Sequence, residues 1–284
     1  MYPILFKLPE WFPLLGGQPI TTFGVFMLFA FLTAGYILRG ELRRKGHDPE
    51  KAWDMVFMAV IGGILGAKLY YMLLNFDRLV ADPMTLILAR GGLVWYGGFA
   101  LASALVLWEV HRSKLPMGQA VDASAPALAL AYAVGRIGCF LVGDDYGKPT
   151  DLPWGIAFPK GSPPTTVPVH PTQLYEVLAS LVIFALLLWV FSPRFKREGP
   201  LIFVYAILAG IERFLVEFVR TNEPVALGLT QQQWISIALV IVGIAGTWWF
   251  GTRGRLRPAF AGAAAAGKPK AAVSEKPKQG EQAP

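Results

Sequence analysis

Charge is what this sequence has least of. Only 16% of its 284 residues are Asp, Glu, Lys or Arg, against about 25% in an ordinary soluble domain. The polar surface that coats a water-facing globule is therefore missing. Cysteine occurs once, as Cys139, which excludes a disulfide framework and a cysteine-ligated zinc site. Histidine occurs three times, as His47, His111 and His170, so no metal site is expected. The phosphate-binding loops of nucleotide enzymes are absent as well: there is no G-K-[ST], and no G-x-G-x-x-G follows a strand pattern. The net charge of +7 comes from short basic clusters lying between apolar runs. That arrangement reads as membrane orientation, and nucleic acid is not expected as a partner.

Apolar runs are what is there. Hydrophobic residues make up 54% of the chain, the mean hydropathy is +0.47, and a span needs about 20 apolar residues. Seven runs qualify, at about 21–38, 55–74, 92–110, 118–142, 174–191, 200–219 and 232–250, separated by breakers such as Arg39, Pro116, Pro193 and Pro200. The stretch Leu181 to Phe191 is apolar on every face, not along one stripe, which argues against a buried helix of a soluble bundle. The first run lacks a basic leader and a small-residue cleavage site, so it is expected to remain in the protein. The fold class expected is all-α: a polytopic membrane protein with about seven transmembrane helices over residues 1–257.

Lysine and arginine set the expected orientation. Segments 39–51, 111–115, 192–198 and 251–257 carry 13 of them, whereas 1–20, 75–90, 143–173 and 220–230 carry 6. The richer side is cytoplasmic, which puts the N-terminus and the large 143–173 loop in the periplasm and the C-terminus in the cytoplasm. Residues 258–284 are rich in Ala, Gly, Pro and Lys and lack apolar periodicity, so a disordered cytoplasmic tail is expected.

Several ionisable residues interrupt the runs: Lys68, Asp122, Arg136, Glu176, Glu212, Arg213 and Glu217. A charge at the bilayer centre costs about 2.5–3.5 kcal/mol on insertion scales, so such groups face a partner or a cavity. Arg213, Glu217 and Arg220 are spaced i, i+4, i+7 and fall on one helical face. Such a stripe can satisfy itself as an ion network, or Glu217 can orient two guanidiniums around a phosphate, the anion that arginine's planar fork suits. At this depth the commonest phosphate is that of a phospholipid headgroup. Glycine clusters flank these charges: Gly91, Gly92, Gly97 and Gly98 at the start of the third run, and Gly135, Gly138, Gly143 and Gly147 at the end of the fourth. Glycine permits close helix packing and close approach of backbone N–H groups to a ligand.

These residues resemble the bacterial prolipoprotein diacylglyceryl transferase family over about residues 15–250. Gly135 to Gly147, GRIGCFLVGDDYG, is similar to the family's G-R-x-G-N-F-x-N-x-E-x-x-G segment. Gly91-Gly92 with Gly97-Gly98, Asp122, the run His170 to Glu176, the run Arg213 to Arg220 and the run Gly228 to Ser236 match in order. Departures exist. Tyr96 stands where well-known members have histidine, Cys139 and Val142 replace asparagines, Asp144 replaces the glutamate, and Ala209 stands in place of a tyrosine.

The resemblance implies transfer of the diacylglyceryl group of phosphatidylglycerol to the lipobox cysteine thiol of a prolipoprotein, at the periplasmic face of the bacterial inner membrane. A thioether forms and glycerol phosphate leaves, with no cofactor. It implies catalytic roles for Tyr96, Arg136, Arg213 and Asp144. Substrate contacts are expected from Arg136, Arg213, Glu217, Arg220, Gly97, Gly98, Gly138 and Gly147. Tyr96 and Asp144 are the candidate proton acceptors, although tyrosine's ordinary pKa near 10 suits that task poorly. Two alternatives stand beside this reading: an inactive relative that binds lipid or signal peptides, and a transporter built on Lys68, Asp122 and Arg136.

Overall fold

The computed structural model of the chain describes residues 2–11, 17–88 and 92–256. Gly91 and the expected 258–284 tail lie outside them. In chain order the helices are α1 Thr22–Arg44, α2 Lys51–Leu74, the short α3 Phe76–Ala81 and α4 Pro83–Leu88, α5 Trp95–Arg112, α6 Met117–Val142, α7 Thr172–Ala185, the three-residue α8 Ser192–Arg194, α9 Pro200–Val216 and α10 Gln231–Arg253. A π-turn over Leu186–Phe191 joins α7 to α8, giving one continuous 23-residue helix, Thr172–Arg194. Proline explains the widened turn: Pro193 has no N–H to continue the ladder, and its ring crowds the carbonyl four residues back.

Among the described residues, five helices are long and apolar enough to cross a membrane: α1, α2, α6, the α7–α8 unit and α10. The other two long helices are marginal. The last turn of the 18-residue α5 holds Glu109, His111 and Arg112, and α9 has 17 residues before a 3-10 turn over Glu217–Val219 extends it. Large apolar side chains on the helix flanks are exposed, among them Leu28, Leu73, Val182 and Ile241. Such flanks belong in lipid, where exposed apolar surface carries no penalty.

Two sequence expectations are adjusted. Helices run past the apolar runs at the basic end: α1 continues through Arg39, Arg43 and Arg44, and α2 starts at Lys51. Hydropathy marks where side chains are apolar, whereas Lys, Arg and Glu continue a helix as well as leucine does. The fold is also not purely α-helical. Three two-stranded antiparallel sheets decorate one end: β1 Ile4–Lys7 with β2 Pro19–Thr21, β3 Ile156–Phe158 with β4 Thr165–Val169, and β5 Pro224–Ala226 with β6 Leu229–Thr230.

Helix α6 is the axis of the bundle, packing against α1, α7 and α9, while α2 pairs with α5 and α9 with α10. Its alanines make this possible: Ala120, Ala123, Ala127, Ala129 and Ala133 are buried, and small residues let helix backbones approach closely. Larger side chains from the neighbours, including Leu38, Leu42, Leu187 and Leu201, fill the space around them.

At the basic end Asp122 is fully buried, and its carboxylate accepts backbone N–H groups of Gly199 (2.8 Å), Leu201 (2.8 Å) and Ile202 (3.3 Å). It caps the start of α9 from another helix, satisfying donors that no side chain of α9 itself reaches. The negative charge also meets the positive end of the α9 dipole.

Candidate functional site

The opposite end gathers the C-termini of α6 and α9 and the N-termini of α7 and α10. Helix α6 stops at Gly143, which adopts φ +78° and donates its N–H to the Cys139 carbonyl at 2.8 Å. A left-handed glycine of this kind ends a helix without steric cost. The chain then turns back across the bundle end. Gly147 N–H donates to the His170 carbonyl (2.9 Å), Lys148 N–H to the Val219 carbonyl (2.7 Å), and Thr172 Oγ1 to the Asp145 carbonyl (2.6 Å). Segment 144–148 is thereby pinned between the start of α7 and the end of α9.

Asp145 itself has φ +60°, a conformation Asp tolerates better than most residues. The turn aims its carboxylate at two guanidiniums: Arg136 Nη1 donates to Oδ2 at 2.8 Å and Arg220 Nη2 to Oδ1 at 2.7 Å. Burial pushes this carboxyl up, but Arg220 and Arg136 outweigh it and hold its pKa below the ordinary aspartate value.

From Asp145 the contacts close into a ring. Arg136 pairs with Glu176 of α7. Glu176 lies 3.7 Å from Arg213 Nη1 and accepts the Tyr132 hydroxyl at 3.1 Å. Arg213 Nη2 meets Glu217 at 2.8 Å, and Glu217 lies 3.8 Å from Arg220 Nε. Arg220 returns to Asp145. Three arginines and three carboxylates alternate, each cation between two anions. Glu176 and Glu217 are almost fully buried, and Arg136 is 7% exposed.

Neighbours fix the carboxylates. Glu217 Oε1 accepts Thr230 Oγ1 at 2.8 Å and Asn222 Nδ2 at 2.7 Å. Thr230 in turn begins α10 with a reciprocal capping box to Gln233. The arginines are less completely served. Arg136 Nε and Arg213 Nη1 are buried donors that make no hydrogen bond, although Arg213 Nη1 lies 3.7 Å from Glu176. Glu212 Oε1 is a buried acceptor without one, whereas Glu176 Oε2 and Glu217 Oε2 meet ring guanidiniums as ion pairs. Among the described residues, every such atom except Thr247 Oγ1 belongs to this cluster or to the adjoining Asp144 and Gln173. Beside the ring lies a shallow apolar groove of about 450 Å³ lined by Leu152, Trp154, His170, Tyr175, Leu215, Val216 and Val219.

The structure brings together Arg136, Arg213, Glu217 and Arg220. The last two do not share a helix: α9 ends at Val216, and the 3-10 turn Glu217–Val219 lets extended Arg220 swing to Asp145. Tyr96 lies apart, 42% exposed at the start of α5, its hydroxyl accepting Gln231 Nε2 at 2.9 Å. Gln231 follows Thr230, so Tyr96 reaches the ring only through the first residues of α10. Asp144 touches none of the arginines. Burial, and then the neighbouring Asp145, raise its pKa. Cys139 is buried, with Arg136 Nη1 3.4 Å from its sulfur.

The candidate glycines sit at close backbone crossings. A Cβ on Gly97 would stand 2.3 Å from the Gly66 carbonyl oxygen of α2, and one on Gly147 2.4 Å from the Val219 oxygen. Gly98 faces the Gly63 oxygen of α2, and Gly138 faces Phe26 of α1.

Three residues that sequence reasoning did not place in the site complete it: Asp145, Glu176 and Tyr132. Glu176 carried a signal, being an acidic residue inside an apolar run. Asp145 was masked by its neighbour Asp144, and only the left-handed turn decides which of the two faces the arginines. Tyr132 gave no signal, since a tyrosine in mid-helix adds no charge to an apolar run.

The prolipoprotein diacylglyceryl transferase family model matches residues 9–249. A Clostridium tetani protein named phosphatidylglycerol–prolipoprotein diacylglyceryl transferase is 32% identical over 247 residues, covering 86% of this chain and 96% of the relative. Proteins of the same name from Coxiella burnetii (32% over 249 residues, 83% and 92% covered) and Pseudomonas putida (33% over 247 residues, 83% and 91% covered) are similar to it as well. The chain belongs to the prolipoprotein diacylglyceryl transferase family.

Proposed function

We infer that the chain transfers the diacylglyceryl group of phosphatidylglycerol to the lipobox cysteine thiol of prolipoproteins. The observation that carries this reading is the pair of buried guanidinium donors that make no hydrogen bond, Arg136 Nε and Arg213 Nη1, inside a cluster of three arginines. A phosphodiester oxygen supplies the acceptors these donors lack. As the bond between the glyceryl carbon and phosphate oxygen breaks, charge grows on the phosphate, and preorganised guanidiniums stabilise that charge more than the starting ester. Arg136 and Arg213 hold the phosphate, Glu217 and Asp145 fix the direction of the guanidiniums, and Arg220 adds a third cation. The apolar groove beside the ring suits an acyl chain or the apolar stretch of a signal peptide.

Seven spans, a periplasmic N-terminus and a site at the periplasmic face of the inner membrane complete the proposal. Support comes from the basic residues at the far end, Arg39, Arg43, Arg44, Arg112, Arg194, Arg197 and Arg253, and from exposed Trp108, Trp189, Trp248 and Trp249 at the same end, where aromatic side chains anchor an interface. A transport path through Asp122 is not needed to explain that charge, because three backbone donors occupy it.

Purified chain in proteoliposomes with acyl-labelled phosphatidylglycerol and a synthetic lipobox peptide tests the reaction. The expected result is a labelled thioether peptide and an equal amount of glycerol phosphate. Lipid binding without either product would make the chain a binding relative. A periplasm-active reporter fused after Thr150 should give signal and one fused after Lys196 should not; the opposite pattern overturns the orientation.

A further inference from the structure

The ring leaves out two nearby carboxyls, Asp144 on the turn after α6 and the more deeply buried Glu212 on α9. Glu212 precedes Arg213 on α9, is only 9% exposed, and its Oε1 is buried without a hydrogen-bond partner. The charged groups whose fields act on it are Glu176 of α7, Arg136 of α6 and Arg213 of its own helix. Tyr132 of α6 and Tyr205 of α9 lie within range of its charge. Helix α10, packed along α9, brings only the uncharged Gln233 and Ser236 to buried positions near this end.

Charge counting leaves Asp144 and Glu212 outside the ring's balance, and of the two only Glu212 is buried within the helix bundle. Each ring arginine already stands between two ring carboxylates, so three cations balance three anions. An ionised Glu212 has no cation of its own, and a protonated one needs none. A buried carboxyl one proton away from balance, next to a phosphate-binding cluster, is suited to carry a proton during a reaction.

The transfer reaction requires such a carrier. Sulfur bonds to the glyceryl carbon as the carbon–oxygen bond to phosphate breaks. The phosphate oxygen keeps that bond's electron pair, the thiol hydrogen departs as a proton, and the leaving oxygen takes one up. No oxidant or reductant enters. We propose that Glu212 relays this proton, receiving it from the lipobox thiol, supplying one to the leaving phosphate oxygen and returning to its starting state each turnover. The inference rests on the transfer reading above. The ring carboxylates are each engaged by two arginines, and the Tyr96 hydroxyl is held by Gln231 at the bundle surface.

The test measures transfer by wild-type, Glu212→Gln and Glu212→Asp proteins in phosphatidylglycerol proteoliposomes with a lipobox peptide, between pH 5.5 and 9. For Glu212→Gln the expected loss in kcat is about a hundredfold, the usual contribution of a positioned acid or base. KM for phosphatidylglycerol should stay within about threefold. Its residual rate should climb tenfold per pH unit, as the fraction of ionised thiol does, while the wild-type rate flattens. Glu212→Asp should recover part of the rate and the wild-type pH dependence. Equal rates and pH profiles for Gln and wild type overturn the relay and leave the transfer reading standing; so do equally impaired Asp and Gln variants that share a wild-type-shaped profile. If Glu212→Gln does not fold, judged by melting in detergent, Glu212→Asp alone decides: a wild-type-shaped profile at reduced kcat supports the relay, and loss confined to KM overturns it. A wild-type chain that transfers nothing overturns both readings.

Discussion

Both ends of the helix bundle bury carboxylates, and they are built on opposite terms. At the basic end Asp122 is covered and spends its oxygens on three backbone N–H groups of α9. Glu198 takes Gln119 Nε2 at 2.5 Å, and Glu109 takes both Arg112 and Ser113. At the other end the carboxylates face arginines, contacts are between side chains, and several donors and acceptors stay without a hydrogen-bond partner. A buried polar group that is fully paired stabilises one structure, whereas an unpaired one costs roughly 1–3 kcal/mol. Among the described residues the fold bears that cost almost entirely at this end, Thr247 Oγ1 being the exception. The comparison teaches that a charge within an apolar helix marks a binding site when its valences are left open, and a structural clamp when they are filled.

The sharpest way to break the comparison is to remove one ring arginine. Arg213→Ala or Arg136→Ala should lower transfer by well over a hundredfold, a loss of about 3 kcal/mol or more of transition-state stabilisation. Melting in detergent should hardly change. Lys at either position should rescue poorly, since an ammonium lacks the two-pronged fork. A large melting loss with transfer per folded molecule intact would make these arginines structural and erase the distinction between the ends.

The converse holds at the basic end. Asp122→Ala strands the buried N–H groups of Gly199, Leu201 and Ile202 and should cost about 2–3 kcal/mol of stability. Transfer per folded molecule should stay within about twofold. Chemical denaturation read against the rate of the folded fraction separates the two effects; a pure activity loss would put Asp122 on the functional side.

How much of this was legible in the chain follows the same division. The helices were readable because lipid-facing segments must be apolar on all sides, and five of the seven runs coincide with helices long and apolar enough to cross a membrane. Asp122, Arg136, Arg213 and Glu217 stood out for the reason that makes them matter, as charges inside such runs. The identity of their partners was not readable. Nothing in the string Gly143-Asp144-Asp145 tells which aspartate faces the arginines, because that depends on a left-handed turn at Asp145. Nor does the spacing of Arg213, Glu217 and Arg220 reveal that the helix ends before Arg220. The family resemblance drew attention to Tyr96 and Asp144, whereas the contacts run through Asp145 and Glu176.

Asp145→Asn examines that contact directly. The substitution keeps the turn and one acceptor oxygen but removes the charge shared by Arg136 and Arg220. Transfer should fall about tenfold, equivalent to about 1.4 kcal/mol of barrier, because two guanidiniums lose their common anchor while remaining present. The low pKa of Asp145 gives the accompanying stability signature. A carboxyl held below its unfolded value stabilises the fold above that value, near pH 3.9, and the benefit disappears as pH falls through the folded one. The difference in melting between wild type and Asp145→Asn should therefore shrink on acidification below about pH 4. A constant difference across that range would assign the effect to packing.

Asp144→Asn is the smallest change and completes the contrast between the two neighbouring aspartates. Burial and the adjacent Asp145 charge raise the Asp144 pKa, and its Oδ1 has no hydrogen-bond partner. The sign is the reverse of that for Asp145. When the folded pKa lies above the unfolded one, the folded state binds the proton more tightly, so stability is greatest below the unfolded pKa and declines as pH rises toward the folded one. At neutral pH the Asp144 carboxyl is therefore a burden on the fold. Asn removes the charge and keeps the shape, so melting at pH 7 should rise slightly, and the gain should vanish below about pH 4, where aspartate is protonated in either state. Transfer should stay within about threefold, because Asp144 touches no arginine of the ring. A loss of tenfold or more at unchanged melting would show instead that this carboxyl handles the thiol's proton, and it would move the proton acceptor from Glu212 on α9 to the turn that follows α6.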